Sequence, residues 1–86
     1  MIRFTDAALT KMAQRGISRE EVAATMSSGS EIVAHSNRRG KLAVFPFNGY
    51  RRSKWYAEKE VRVIWVDEPD DVQLVLTAIA RYGTFQ

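Results

Sequence analysis

Residues 16–22 read Gly16-Ile17-Ser18-Arg19-Glu20-Glu21-Val22, and this stretch marks where one helix stops and the next begins. Ser18 and Glu21 have the spacing of a capping box, in which each side chain accepts from the other residue's backbone amide. Ile17 and Val22 occupy the two positions of a hydrophobic staple. Gly16 suits the left-handed turn that closes a preceding helix. Working backward, Ala8, Leu9, Met12 and Ala13 recur at helical spacing behind Thr5 or Asp6, either of which can cap. The expectation is a helix ending at Arg15. Working forward, Val22, Ala23 and Met26 form a second stripe, closed by Ser27-Ser28-Gly29. With so short a joint, the two helices make a tight hairpin.

Beyond Gly29 the hydrophobic period changes from 3.6 to 2. Glu31–His35 and Lys41–Phe45 read as strands around a polar turn at 36–40. Pro46 either ends the ladder or places its strand at an edge. Asn48-Gly49 is a turn signal, and 50–60 reads either as an exposed strand or as a mobile basic loop. Val61–Val66 is a strand, 67–71 an acidic turn, and Val72–Ile79 a strand apolar on both faces and therefore interior. Two helices followed by an antiparallel sheet of about four strands define an α+β fold, with residues 1–86 as one domain.

The chain has 86 residues, a net charge of +3 and no cysteine. Disulfides, thiolate metal sites and thiol nucleophiles are excluded together, which agrees with a reducing, cytoplasmic setting. The first residues lack the pattern of an export signal, and no apolar run is long enough to cross a bilayer, so no membrane association is expected. The charge is unevenly placed. Residues 38–62 hold eight basic side chains against two acidic ones, a local +6, while the remainder sums to −3. Tyr50, Trp55 and Tyr56 interleave with Arg51, Arg52 and Lys54, a composition suited to binding nucleic acid. The same pattern would also serve a solvated hairpin whose charges keep a strand edge soluble.

Familiar catalytic constellations are missing. His35 has no companion at metal-ligand spacing, Ser27, Ser28 and Ser30 sit where helix ends and turns need them, and no phosphate-binding glycine loop occurs. No metal and no cofactor is expected. Metal-free phosphodiester chemistry needs a proton acceptor, a proton donor and fixed cations. On the last strand Gln73, Val75, Thr77, Ile79 and Arg81 share one face by alternation. Thr77, Arg81 and the neighbouring Tyr82 would bring a hydroxyl, a guanidinium and a phenol together, with Arg62 on the adjoining strand. Equally, Thr77 would serve as a core residue and Arg81 as a strand-end cap.

Phe4 through Val22 resembles the F-T-x-H-A-x-x-[RK]-M-x-x-R-G-I-S-x-E-E-V opening of a family of small bacterial domains of unknown function. These are similar to toxins of the RelE/ParE and BrnT kind, within the wider group of metal-free ribonucleases that includes barnase, EndoU and colicins. The closing strands, 61–66 and 72–82, are similar to that family's final hairpin. The resemblance implies a toxin of a toxin–antitoxin pair that cleaves RNA by 2′-hydroxyl transesterification. It also implies a cognate antitoxin covering the basic surface with an acidic segment, in a homo- or hetero-oligomer. Arg62, Arg81, Thr77 and Tyr82 would be the catalytic residues, and Arg51, Arg52, Lys54, Trp55 and Tyr56 would bind substrate. Ala7 stands where the family usually has histidine, which implies that the chain is naturally inactive, uses another residue, or carries a deliberate inactivating substitution there. The alternative is a non-catalytic module, either a nucleic-acid binder or an inhibitor of a protein target such as a topoisomerase, as in ParE. If the histidine carries proton transfer, Ala7→His should raise RNA cleavage and growth inhibition above those of the present chain, measured on purified protein and by induction.

Overall fold

The computed structural model describes residues 1–85. The elements run β1 (Ile2–Phe4), α1 (Asp6–Arg15), α2 (Arg19–Ser28), β2 (Ser30–Ile32), β3 (Arg38–Arg51), β4 (Lys54–Glu68) and β5 (Val72–Gly83). They form an α+β fold: a five-stranded sheet in the order β1-β5-β4-β3-β2, with α1 and α2 packed on one face. Among the described residues, no helix is long and apolar enough to cross a membrane.

Both helix boundaries form as the sequence predicts. The Thr5 hydroxyl accepts from the Ala8 amide at 3.0 Å, and Gly16 closes α1 at φ 71°. The Ile17 amide bonds back to the Met12 carbonyl at 2.9 Å, so the last turn is tied off internally. Ser18 and Glu21 complete both halves of the capping box. Ala8, Met12, Ile17, Val22 and Met26 then pack on Val61, Val63 and Trp65 of β4 and Val75 and Ala78 of β5.

The sheet departs from expectation in four places, each with a local cause. First, it is mixed and has five strands, because the three residues of β1 pair in parallel with β5, from Ile2↔Gln73 to Phe4↔Val75. A strand that short carries no readable alternation. Second, β2 covers Ser30–Ile32, and residues 33–35 leave the ladder.

Third, Asn48-Gly49 is not a turn. The register with β4 shifts between Pro46 and Gly49, and Asn48 takes φ 45°. An asparagine that tolerates positive φ therefore serves a bulge inside one long strand. The reversal comes at Arg52-Ser53, with φ of 53° and 66°, as in a type I′ two-residue loop. The basic segment is thus a paired hairpin. Pro46 remains in the ladder because β2 pairs only with Gly40–Leu42, leaving the outer side of β3 open at the proline.

Fourth, β5 continues to Gly83 and contains a bulge of its own. Ile64 pairs with Thr77 but Trp65 with Val75, so Leu76 is the extra residue. This flips the alternation, and Val75 and Ala78 are both buried in the core. Of the face expected to hold Gln73, Val75, Thr77, Ile79 and Arg81, the bulge removes Gln73 and Val75, while Thr77, Ile79 and Arg81 keep one phase opposite Ile64, Arg62 and Glu60.

Lys59 links the layers. It is 5% exposed, its Nζ donates to the Gly16 carbonyl, and it lies 2.8 Å from Glu21 Oε1. Burial by itself would raise the Glu21 carboxyl. Hydrogen bonds from Lys59 and Ser18, with the lysine's charge, outweigh this and hold the group below its ordinary value of 4.5.

Two consequences can be measured. At Gly16 a methyl group would meet Arg51 Nη1 at 3.0 Å and Tyr82 Oη at 3.2 Å in a left-handed backbone. Gly16→Ala should therefore lower the unfolding free energy by about 1–2 kcal/mol in urea titration. Because the folded Glu21 is the stronger acid, its contribution is complete above about pH 4.5 and disappears as pH falls through the lowered folded value. Glu21→Gln should flatten that acid limb of the stability profile.

Candidate functional site: the tip of the basic hairpin

α1 ends against the far part of the sheet, and three side chains from the sheet satisfy three consecutive carbonyls there. Arg51 Nη2 donates to Gln14 O at 2.8 Å, the Tyr82 hydroxyl to Arg15 O at 2.7 Å, and Lys59 Nζ to Gly16 O. A helix C-terminus carries partial negative charge, so cationic and hydroxyl donors are favoured there. The Tyr82 ring is boxed in by its neighbours. Arg51 lies 4.9 Å over it, Phe47 meets it edge-on at 5.0 Å, and Tyr56 tilts against it at 5.7 Å.

Beside this anchor lies an open cavity of about 380 Å³ lined by Gln14, Arg15, Arg51, Arg52, Tyr56, Ala80 and Tyr82. Three arginines and two phenol rings face a space with no carboxylate among its lining residues. Arg52 sits in the exposed turn with no hydrogen-bond or ion-pair partner among the described residues. Lys54 adds a further cation, its ammonium 5.6 Å over the Tyr56 ring. The arrangement can take an anion and a planar group together.

Arg62 and Arg81 converge elsewhere. β4 alternates so that Lys59, Val61, Val63 and Trp65 face the helices while Glu60 and Arg62 face the uncovered side. Glu60, 8% exposed, accepts from Arg62 Nε at 2.9 Å and stands 3.8 Å from Arg81 Nη1. Arg62 uses only Nε in this pair, and both guanidiniums remain partly open to solvent. Each keeps donors free for a phosphate.

Thr77 keeps Arg81's phase but stands four residues along β5, and Tyr82 turns toward the helices. Thr77 accepts from Lys11 Nζ at 3.4 Å at the seam between α1 and β5, and the Tyr82 hydroxyl is held by the helix end. Ala7 is exposed on α1, eight residues before Arg15. At a rise of 1.5 Å per residue that is about 12 Å along the helix from the cavity. Trp55 is exposed and directly opposite Tyr50 across the hairpin.

Lys59, Glu60 and Arg15 were not among the residues expected in a site. Lys59 had a legible signal, because it continues the buried phase of Val61, Val63 and Trp65 by one step. Arg15 had none, since its role depends on where α1 docks. Among the described residues, no group of three or more histidines, aspartates or glutamates could hold a metal ion.

Fold and site together define a small α+β domain with a cationic, aromatic hairpin beside a docked helix end. Residues 4–80 match the family described as Domain of unknown function (DUF4258), and the chain belongs to that family. No curated protein and no solved structure matches the chain at a significant level.

Tyr82→Phe keeps the ring but removes its bond to the helix end. It should cost about 1 kcal/mol in thermal or urea unfolding while leaving the far-ultraviolet circular dichroism unchanged.

Proposed function

We propose that this domain binds RNA through the tip of the β3–β4 hairpin and cleaves it without a metal, as a toxin held in check by an antitoxin. The observation that carries the reading is the convergence of Arg51, Arg52, Tyr56 and Tyr82 on one cavity free of carboxylates. Guanidinium groups suit phosphates and rings suit bases.

Chemistry is assigned to Glu60, Arg62 and Arg81. In the proposed step, the Glu60 carboxylate takes the proton of a ribose 2′-hydroxyl while that oxygen forms a bond to phosphorus. The bond from phosphorus to the 5′ oxygen breaks, water protonates the departing oxygen, and a 2′,3′-cyclic phosphate remains. Arg62 and Arg81 neutralise the charge that grows on phosphorus. An acidic antitoxin segment laid over Arg51, Arg52 and Lys54 would block access to RNA, making a hetero-oligomer the resting form in a cytoplasmic setting.

A non-catalytic binding module is the second reading. It is favoured by one observation: the hydroxyls of Thr77 and Tyr82 are already engaged in bonds that hold α1 to the sheet.

Cleavage of a labelled RNA in the presence of a chelator, followed alongside binding, separates the two. Glu60→Gln and Arg81→Ala should each lower turnover by about 100-fold or more with RNA affinity kept. Joint replacement of Arg51 and Arg52 by alanine should weaken binding and reduce the slope of log affinity against log salt by about 1.4. Unchanged cleavage in Glu60→Gln removes the assigned chemistry. Loss of affinity alone, with no cleavage in any variant, favours the binding module.

A further inference from the structure

Two rings at the hairpin tip take no part in the cavity. Tyr50 and Trp55 are direct cross-strand partners, 74% and 50% exposed. Arg51 and Tyr56, their chain neighbours, line the cavity on the helix side. Alternation therefore turns Tyr50 and Trp55 away from the cavity, to the other side of the hairpin tip. The other tryptophan, Trp65, is 1% exposed and belongs to the core. Exposing two large adjacent rings opposes the usual burial of such surface and calls for a ligand.

The surroundings identify the ligand's chemistry. From Tyr50 to Ala57 the hairpin holds Arg51, Arg52 and Lys54 and no acid. The Arg52-Ser53 loop is a tight two-residue reversal that holds the two rings at fixed positions across the hairpin. An apolar protein surface would be served by the rings but not by the cations. A duplex would be served by the cations but not by the rings, because its bases are stacked on one another.

We propose that the hairpin selects single-stranded RNA, with unpaired bases stacked on Trp55 and Tyr50 and the strand passing over the loop at Arg52 to bring its phosphates to Arg51 and Lys54 on the cavity side. This rests on the RNA-binding reading above and adds the form of RNA that is recognised.

The test uses the whole chain and a 12-nucleotide oligouridylate, alone and annealed to oligoadenylate. Tryptophan emission and fluorescence anisotropy are followed at two salt concentrations. Stacking should quench emission with the single strand, leaving the buried Trp65 component, and Trp55→Phe should remove the quench. The single strand should bind at least tenfold tighter than the duplex. Trp55→Ala should weaken it about tenfold with the salt slope unchanged. Unchanged far-ultraviolet circular dichroism checks that this variant folds.

Equal affinity for single strand and duplex would overturn this inference while leaving RNA binding in place. So would full affinity in Trp55→Ala, which would assign the rings to a protein partner. No binding of either form would overturn the RNA-binding reading as well.

Discussion

A buried ammonium group holds the two layers of this protein together. Lys59 projects from the central strand into the joint between the helices, where its Nζ meets the Gly16 carbonyl and Glu21 Oε1. Glu21 Oε1 also accepts from the Ser18 amide, so one oxygen serves both the start of α2 and the sheet below it. The Gly16-to-Val22 motif is therefore more than a local punctuation mark. It builds an acceptor site that a lysine on β4 fills, and a buried charge is tolerated only when such partners are present. Lys41 does the related task at the other helix, donating from β3 to the Met26 carbonyl at 3.0 Å.

That anchor also shapes the candidate site. Arg51, Tyr82 and Lys59 satisfy successive carbonyls at the end of α1, and the first two also line the cavity at the hairpin tip. The same side chains thus hold the helix and present cations and rings to a ligand. A groove built from anchoring residues is preorganised, with less side-chain freedom to lose when something binds.

Both helices, the joint, and the 61–66 and 72–79 parts of the two long C-terminal strands were legible in the sequence because capping chemistry and alternation are local signals. What escaped was non-local. The pairing of β1 with β5 depends on chain ends brought together by the fold, and the Leu76 bulge changes which residues share a face without altering any propensity. Asn48-Gly49 carried the right backbone preference but in a bulge, and the actual reversal used Arg52 and Ser53, which advertise no turn. The charge pattern marked the basic segment, and Arg51, Arg52 and Tyr56 line one cavity, joined there by Tyr82, which was expected beside Thr77 and Arg81 instead. Thr77 and Arg81 keep one phase beyond the bulge, but Thr77 is engaged by Lys11, and Val75, expected on the same face, turns into the core. Glu60 was read only as a countercharge; its place between Arg62 and Arg81 follows from register.

The most direct measurement of the anchor is a double-mutant cycle of Glu21→Gln and Lys59→Met, read by urea unfolding at neutral pH. If the pair joins the helical hairpin to the sheet, each single change should cost about 3 kcal/mol and the cycle should show a coupling of about 2 kcal/mol or more. A coupling near zero, with the two changes simply additive, would contradict it.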